Sequence, residues 1–450
     1  MIKSNGLNIQ RKQGKQDLLA LHKSNPARYP FLLESVASTV DNNSHNFDIL
    51  FAFPQETLTL SKENKLSGYS DIDGNDFLDN LSHWWKTKHV DNVKCETLPF
   101  SGGWFLYLGY ELAQQVEPHL NLKSPSTSNA YATRVPAAII FSHNENCTYF
   151  LCEEQFEYIE QLINDASKTS DELEVSIDLN NIQEEDPNQY LNSIKKVKKY
   201  IFDGDIFQAN LSRLWKAEDS KVDAVSLYQK LRETNPAPFS GLAVHNDFSI
   251  ISSSPERLVS VKNGHAQTRP IAGTRRREID KVKDEALKKE LIEHPKERAE
   301  HIMLIDLERN DLGRICEPGT IKVDELMVLE SYAHVHHIVS NVAGTLRTNI
   351  SPGEVIKAVF PGGTITGCPK VRCMEIISEL ETEARGAYTG SMGYLNHNGD
   401  MDINILIRTI TLDNNTLSFR AGAGLVADSI AEFELEETRH KARGLLLALE

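Results

Sequence analysis

The chain has few cysteines, no apolar run of membrane-spanning length and no excess of positive charge. Its 450 residues include six cysteines without a Cys-x-x-Cys pair, which argues against a zinc site and favours free thiols in the cytoplasm. The formal net charge of -16 argues against nucleic acid as a partner, because no positive field is available to bind phosphates. The opening residues have no apolar core like that of a signal peptide, and we expect no membrane association.

The apolar segments of the first part are short and are bounded by proline, glycine and asparagine. This pattern is typical of strands joined by turns. Later segments also show no repeated strand-helix-strand alternation, and they favour antiparallel sheets with helices packed outside, an α+β fold. An acidic, polar stretch over residues 166–189 is a candidate crossing between two halves. We therefore expect an N-terminal domain over residues 1–182 and a second domain over residues 186–450.

Two Glu-x-x-Glu pairs lie far apart in the sequence. Glu297 and Glu300 follow Pro295, which suits the first turn of a helix, and Glu434 and Glu437 lie in a second helical segment near the end of the chain. Residues three apart share one helix face. One such pair alone is more simply a solvated acidic face. Two such faces could hold one divalent ion, and carboxylate oxygens favour Mg²⁺, with an anionic substrate completing its shell.

Arg408 lies within DINILIRTITL, which reads as one strand. An arginine among isoleucines and leucines needs an anionic partner, which could be a substrate or a structural carboxylate. Gly422 and Gly424 follow in FRAGAGLVADS, where a flexible backbone could direct N–H groups at an oxyanion. The loop FPGGTITGCPK is not a nucleotide P-loop, because a cysteine stands where the P-loop lysine belongs.

Ten stretches resemble the chorismate-utilising enzyme family and occur in family order. They are FQANLSR, SSSPERLV, TRPIAGT, HPKERAEHIMLIDLERNDLGR, ESYAHVHHIVS, FPGGTITGCPK, RGAYTGSMGYL, IRT, AGAGLVADS and ELEETRHKA. In the first part, FLLES and GGWFLYLGYEL resemble the N-terminal domain of the family's chorismate-aminating large subunits. The resemblance implies a fold with a central sandwich of antiparallel sheets and helices outside it.

The resemblance also implies roles for individual residues. The residues expected to hold Mg²⁺ are Glu300 and Glu437, with Glu297 and Glu434 completing the acidic shell. The residues expected to bind chorismate are Arg408, Tyr388, Gly422, Gly424, Lys441 and Thr364. Glu256 would be the general acid that protonates the departing 4-hydroxyl, with His337 and Thr274 near the reacting atoms.

Two positions bear on which family reaction is catalysed. Gln208 stands where isochorismate and salicylate synthases carry a water-activating lysine, which favours ammonia as the nucleophile. Ala272 stands where aminodeoxychorismate synthases commonly have a nucleophilic lysine and anthranilate synthases commonly have alanine. The FPGGTITG loop resembles that of the aminodeoxychorismate synthases. The expected reaction is that of aminodeoxychorismate synthase component I, with anthranilate synthase component I as the alternative and a non-catalytic regulatory subunit ranked below both.

The resemblance implies partners as well. Ammonia is expected from a separate glutamine amidotransferase subunit, component II, because no glutaminase-like cysteine site is evident in this chain. A tryptophan pocket is also implied, lined by Ser35, Pro238, Phe239 and Ser240, with L-tryptophan as its ligand. A regulatory pocket, a structural ligand and an empty pocket are all open alternatives.

Overall fold

A computed structural model describes residues 2–4, 6–36, 46–89, 97–168, 177–178, 182–218, 220–332 and 335–450. The strands are β1 (Ile2–Ser4), β2 (Leu7–Gln13), β3 (Phe31–Glu34), β4 (Phe47–Ala52), β5 (Thr57–Leu60), β6 (Leu66–Ser67), β7 (Gly103–Leu108), β8 (Ala130–Val135), β9 (Ala137–Ser142), β10 (Cys147–Glu153), β11 (Ile177–Asp178), β12 (Gln183–Glu184), β13 (Gln208–Ala217), β14 (Lys221–Val222), β15 (Phe239–His245), β16 (Phe248–Ser254), β17 (Arg257–Lys262), β18 (His265–Thr268), β19 (Ile271–Arg276), β20 (Lys322–Ser331), β21 (Val335–Thr345), β22 (Gly367–Cys368), β23 (Ser391–Asn396), β24 (Met401–Asn404), β25 (Thr409–Asp413) and β26 (Thr416–Leu425).

The α-helices are α1 (Leu18–Ser24), α2 (Phe77–Lys88), α3 (Ala113–Val116), α4 (Ile159–Lys168), α5 (Pro187–Asp203), α6 (Ala224–Thr234), α7 (Lys281–Glu293), α8 (Pro295–Gly313), α9 (Pro352–Val359), α10 (Lys370–Leu380) and α11 (Ala431–Leu447). Two short 3₁₀ helices cover Tyr110–Leu112 and Gly363–Ile365.

The strands form two large antiparallel sheets. The first sheet has the order β1-β2-β10-β9-β4-β3-β15-β16-β25-β26-β13-β12, with β22 beside β13. In the second, β18 and β19 pair with successive parts of β21, and β17-β24-β23-β7-β8-β5-β6 continue the sheet from β18; β20 also pairs with β21. Each large sheet contains strands from both sides of residues 182–186. The division into two domains there stays a prediction.

The two sheets face each other across an apolar core. Phe31 of the first sheet stacks on Phe105 of the second, with ring centroids 4.0 Å apart. On its other face the first sheet packs against α1, α4, α5, α6, α10 and α11. The second sheet packs against α2, α8 and α9. This order of layers confirms the predicted α+β fold, a sandwich of antiparallel sheets with helices outside. Burial of both faces explains the apolar runs in the central strands.

The chain crosses between the sheets at two places that matter for the site. β16 belongs to the first sheet and β17 to the second, and Pro255 and Glu256 form the crossing between them. DINILIRTITL is likewise not one strand, and the prediction of a continuous strand is wrong. It forms β24 in the second sheet and β25 in the first, separated by residues 405–408, and Arg408 has a φ of 52°.

The helices that carry the two acidic pairs begin close to where the sequence predicts. Pro295 is the first residue of α8, and the His294 side chain caps the helix. In α11 the acidic residues Glu432 and Glu434 lie in the first turn. Carboxylates near a helix N-terminus interact favourably with the helix dipole. Both Glu-x-x-Glu pairs therefore lie at the positive ends of their helices.

Within the described parts of the chain, no helix is both long enough and apolar enough to cross a bilayer. Five cysteines in these parts, Cys147, Cys152, Cys316, Cys368 and Cys373, carry free thiols. The sixth, Cys95, lies outside the described residues.

Candidate active site

A cavity of about 1140 Å³ opens among the two sheet crossings, β13, β19, β26 and the first turns of α8 and α11. Every residue predicted to act in catalysis, chorismate binding or metal binding lines it. These residues are Glu256, Ala272, Thr274, Glu297, Glu300, His337, Thr364, Tyr388, Arg408, Gly422, Gly424, Glu434, Glu437 and Lys441. The structure thus brings together residues from nine separate parts of the sequence, while their individual roles stay predictions.

Glu256 is the buried carboxyl of this cavity, with only 6% of its surface exposed. Burial raises its pKa to about 7, against the hydrogen bond from Thr364 and the charges of Lys441 and Arg408, which lower it. The Thr364 hydroxyl donates to the Glu256 Oε1 at 2.7 Å. Near neutral pH a substantial fraction of Glu256 is protonated. This is the condition that a general acid at neutral pH requires.

The Arg408 guanidinium lies in the same cavity, and no described carboxylate pairs with it. Among the described side chains, no Asp or Glu oxygen lies within ion-pair distance of it, although Arg420, which lines the same cavity, pairs with Glu381. Burial lowers the pKa of Arg408, and the charge of Glu256 opposes that shift. A buried cation without a partner is costly unless an anion enters. The alternative of a structural ion pair is therefore wrong for the described residues.

Hydrogen bonds between the two sheet crossings hold Glu256 and Arg408 close to each other. The Ile405 amide donates to the Glu256 carbonyl oxygen at 3.0 Å, and the Ser253 amide donates to the Arg408 carbonyl oxygen at 3.1 Å. The residues Glu256 and Arg408 are consequently held by one hydrogen-bonded backbone framework.

The acidic pair of α8 lies on the cavity wall. Gln208 donates from Nε2 to Glu300 Oε1 at 3.0 Å, and Arg275 pairs with Glu297 at 3.3 Å. The pKa of Glu300 is raised, first by burial and then by the charge of Glu297. A bound cation would relieve this unfavourable crowding of negative charge.

The acidic pair of α11, Glu434 and Glu437, likewise includes a carboxyl with a raised pKa. Burial raises the pKa of Glu434, with a further contribution from Glu437, and Glu437 pairs with Lys441 at 2.7 Å. Lys296 and Lys441 each lower the pKa of both Glu300 and Glu434, so the two acidic pairs share one electrostatic environment.

The described side chains do not include three His, Cys, Asp or Glu residues already arranged around a common metal position. The donors are nevertheless carboxylate oxygens on facing elements, and like charges raise the pKa of one member of each pair. All-oxygen donors of this kind fit Mg²⁺.

His337 and Thr274 form a hydrogen-bonded pair at the cavity wall. The His337 Nδ1 lies 3.0 Å from the Thr274 Oγ1. Burial lowers the pKa of His337 to about 4, so its imidazole is neutral at pH 7. Ala272 lies beside them on β19, where a bulge at Gly273 shifts the register against β21. Its methyl group offers no nucleophile.

Tyr388 and Gly422 pack directly against each other. A Cβ added at Gly422 would lie 2.7 Å from the Tyr388 hydroxyl and 2.6 Å from the Leu211 carbonyl oxygen. Burial raises the pKa of Tyr388 to about 12, so its hydroxyl remains a hydrogen-bond donor at neutral pH. The Gly422 carbonyl oxygen accepts from Lys441 at 3.0 Å.

Asn210 is a cavity residue that the sequence motifs did not identify. Its Nδ2 donates to the Thr364 carbonyl oxygen at 2.8 Å, which fixes the loop that positions Glu256. The available signal was its position two residues after Gln208 on β13, where strand residues share a face. A Cβ at Gly424 would lie 2.8 Å from Gln208 Nε2 and 3.3 Å from Asn210 Oδ1, so this glycine leaves room for both amides.

A second cavity of about 370 Å³ lies between the sheets and contains all four residues of the predicted tryptophan pocket. Ser35, Pro238, Phe239 and Ser240 line it, and the Arg257 guanidinium lies 5.0 Å from the Phe239 ring centroid. The two cavities share four wall residues, Pro238, Pro255, Ile271 and Tyr332.

Residues 30–447 match the family model described as chorismate binding enzyme. The chain belongs to the chorismate-binding enzyme family. The resemblance found in the ten sequence stretches is therefore confirmed at the level of the family.

Individual family members are similar over most of their length. The chain is 43% identical over 360 residues to an anthranilate synthase component I-like protein of Synechocystis sp., covering 79% of this chain and 74% of that protein. It is 40% identical over 381 residues to aminodeoxychorismate synthase component 1 of Bacillus subtilis, covering 82% of this chain and 81% of that protein. It is 34% identical over 450 residues to anthranilate synthase component 1 of Bacillus subtilis, covering 92% and 86%.

Solved structures agree with this assignment. The crystal structure of anthranilate synthase component I from Streptococcus pneumoniae superposes with a TM-score of 0.80 and 32% identity, covering 91% of this chain and 94% of that one. The chain is therefore similar to enzymes named for two different chorismate reactions.

Proposed function

We propose that the chain is an aminodeoxychorismate synthase component I, which converts chorismate and ammonia into 4-amino-4-deoxychorismate and water. The observation that carries this proposal is the presence, in one cavity, of a buried carboxyl, Glu256, and of the Arg408 guanidinium, with which no described Asp or Glu forms an ion pair. Chorismate is a dianion with a poor leaving group, the 4-hydroxyl. Its reaction needs a cation that binds a carboxylate of chorismate and a group that protonates the 4-hydroxyl as it leaves.

In this mechanism Arg408 and Tyr388 bind the enolpyruvyl carboxylate, and Lys441 and Thr364 lie on the ring side. Glu256 donates its proton to the 4-hydroxyl, which leaves as water. Neutral His337 keeps its hydrogen bond to Thr274 beside the reacting carbons. Glu300 and Glu437, supported by Glu297 and Glu434, would hold Mg²⁺, which supplies Lewis-acid stabilisation to the ring carboxylate.

Ala272 bears on which group is the first nucleophile. Because residue 272 is alanine, no lysine is available there to attack C2 of chorismate. Ammonia itself is therefore the proposed first nucleophile. A second ammonia then enters at C4 and displaces the first. The choice of C4 product is supported by the FPGGTITG loop and by the two Bacillus subtilis relatives, of which the aminodeoxychorismate synthase is the more identical at 40% against 34%.

Anthranilate synthase component I is the second candidate. It is favoured by Ala272, and by similarity to proteins named for that reaction in Synechocystis sp. and Streptococcus pneumoniae. The C2-aminated compound would then lose pyruvate instead of receiving a second ammonia.

The decisive experiment is product identification. The purified chain is incubated with chorismate, Mg²⁺ and ammonium chloride, and the products are separated by chromatography with mass detection. Aminodeoxychorismate, or 4-aminobenzoate after a lyase is added, supports the proposal, whereas anthranilate with pyruvate replaces it with the second candidate. The Glu256→Gln variant is the control, because it keeps the side-chain shape but cannot donate the proton.

We also propose that ammonia is supplied by a glutamine amidotransferase subunit. The word component in the names of the relatives supports a second subunit. Turnover with ammonium salts but not with glutamine is expected for the isolated chain. Glutamine-dependent turnover by the isolated chain would contradict this part of the proposal.

L-tryptophan is the proposed ligand of the second cavity. Its volume of about 370 Å³ lies within the usual range for small-molecule sites, and Phe239 and Tyr394 offer aromatic walls. Calorimetry should give binding heat that a Ser35→Trp variant, which fills the cavity, abolishes. Absence of heat with the wild-type chain would remove tryptophan as the ligand.

A further inference from the structure

One amide in the main cavity has an acceptor oxygen that no described residue hydrogen-bonds. Gln208, the first residue of β13, is only 3% exposed and lines the cavity. Its Nε2 donates to Glu300 Oε1 at 3.0 Å. Its Oε1 is buried and has no partner among the described residues.

Contacts on both sides of the amide fix its orientation. A carboxylate oxygen accepts, so the nitrogen is the atom that belongs against Glu300. On the other side of the nitrogen, a Cβ at Gly424 would come within 2.8 Å of Nε2, which indicates close packing there. The Gln208 backbone is held by pairing with Cys368. The orphan oxygen is therefore held in place and cannot rotate towards another donor without breaking the bond to Glu300.

A buried acceptor without a donor costs about 1–3 kcal/mol, so the cavity gains when a donor arrives. The proposed substrates provide two kinds of donor. Chorismate as a dianion has one, the 4-hydroxyl, which Glu256 must protonate. Ammonia has three N–H groups and one lone pair, and it can donate to an acceptor while the lone pair points elsewhere.

We propose that Gln208 is the residue that binds and orients ammonia, which its Oε1 and the Glu300 carboxylate hold through N–H donation. This inference rests on the amination in the proposed function, but not on which amine is the product. A neutral amide cannot remove a proton, so it gives no activation to water. Ammonia needs no activation, because its lone pair is available once the molecule is oriented.

The resulting step is balanced. The nitrogen–carbon bond forms as the carbon–oxygen bond breaks, the hydroxyl takes the Glu256 proton and leaves as water, and the new amino group keeps its three hydrogens as an ammonium. Glu256 is then reprotonated from solvent.

The test is the Gln208→Met variant, which keeps the side-chain length but removes both the acceptor and the donor. The control is Gln229→Met, because Gln229 on α6 also has a buried, unpartnered Oε1 but lies outside both cavities. Initial rates are measured against ammonium chloride, chorismate and Mg²⁺ separately. The KM for ammonia should rise about tenfold in the first variant, since one lost hydrogen bond corresponds to roughly that factor. The KM for chorismate should keep its wild-type value, and the control should match wild type.

Other patterns would overturn the inference. A rise in the KM for chorismate alone would mean that the oxygen accepts from the 4-hydroxyl. A change confined to the Mg²⁺ dependence would mean that the amide only orients Glu300. If wild-type turnover does not depend on ammonia, the proposed function fails together with this inference. An ammonia-dependent wild type with an unchanged KM in Gln208→Met refutes the inference alone.

Gln208→Glu provides the second variant if Gln208→Met does not fold, as judged by circular dichroism and thermal melting. It keeps an acceptor oxygen but replaces the donor to Glu300 with a second carboxylate, so its KM for ammonia should rise by less than the tenfold expected for Gln208→Met. A tenfold rise in that KM would count against Gln208 as the ammonia-binding residue.

Discussion

Removing the hydroxyl of Thr364 should move the alkaline limb of the pH–rate profile to higher pH. Thr364 donates to Glu256 Oε1 at 2.7 Å, and this bond favours the ionised carboxylate. A hydrogen bond to a charged group contributes about 1.5–3 kcal/mol, of which part persists with the protonated acid. Because one pKa unit corresponds to about 1.4 kcal/mol, Thr364→Val should raise the pKa of Glu256 by roughly one unit.

The sign of the effect follows from the role of Glu256. The acid is active when protonated, so kcat/KM should fall as pH rises through about 7 in the wild type. In Thr364→Val the same fall should occur roughly one pH unit higher. Water cannot readily replace the lost donor, because Glu256 is only 6% exposed.

The assay measures kcat/KM for chorismate at saturating ammonia between pH 5.5 and about 9.5. This range covers the fall expected for the wild type and the later fall expected for Thr364→Val. Since kcat/KM reports the free enzyme, the charges of bound chorismate do not enter. Glu256→Gln should show no such limb and should lose about 10²–10⁴ in rate. A limb that stays in place or moves to lower pH in Thr364→Val would refute the assignment of Glu256 as the titrating acid.

Three further changes test other parts of the site. Arg408→Met should raise the KM for chorismate by about a hundredfold or more, because it removes the cation proposed to pair with a carboxylate of bound chorismate. Arg408→Lys should recover part of the loss, and equal KM values in all three proteins would contradict a carboxylate-binding role. Glu300→Gln should raise the Mg²⁺ concentration needed for half-maximal rate by about 10-fold or more, measured by titration into the chelator-treated enzyme, and an unchanged titration would remove Glu300 from the metal shell. Gly424→Ala should lower activity by displacing the amide of Gln208, while Gly313→Ala, whose Cβ meets its nearest neighbour only at 3.9 Å, should not; similar activity in both variants would show that the Gly424 contact is unimportant.

Local sequence signals identified the acidic helices. Pro295 marks the first turn of α8, and the three-residue spacing of Glu297 and Glu300 fixes their common helix face whatever the helix packs against. The alternating strands of the first part were likewise recognisable, because burial of a sheet face leaves a pattern in the sequence itself. The family followed from the order of ten stretches, which no single motif could have established.

The sequence pattern predicts Arg408 within a strand, whereas the structure places it between β24 and β25, and this difference has a physical reason. The residues on either side of Arg408 in the sequence are mostly apolar. Such residues are buried equally well in a strand and in a crossing between two packed sheets. Local pattern cannot distinguish them, since the left-handed conformation of Arg408 depends on β24 and β25 belonging to different sheets. Asn210 was missed because its importance lies in one hydrogen bond, to the Thr364 carbonyl oxygen.

By itself the sequence determined the family, the α+β class and the residue types available for chemistry, because these depend on spacing and on side-chain identity. Only the tertiary structure decided what those groups can do. The two sheet crossings place Glu256 in a buried site, where desolvation raises its pKa to about 7, and leave Arg408 without a carboxylate among the described residues. Strand β13 and helix α8 bring Gln208 to Glu300, and the Gln208 Oε1 has no partner among the described residues. Desolvation and missing partners are properties of the folded surroundings, and residues distant in the chain create them.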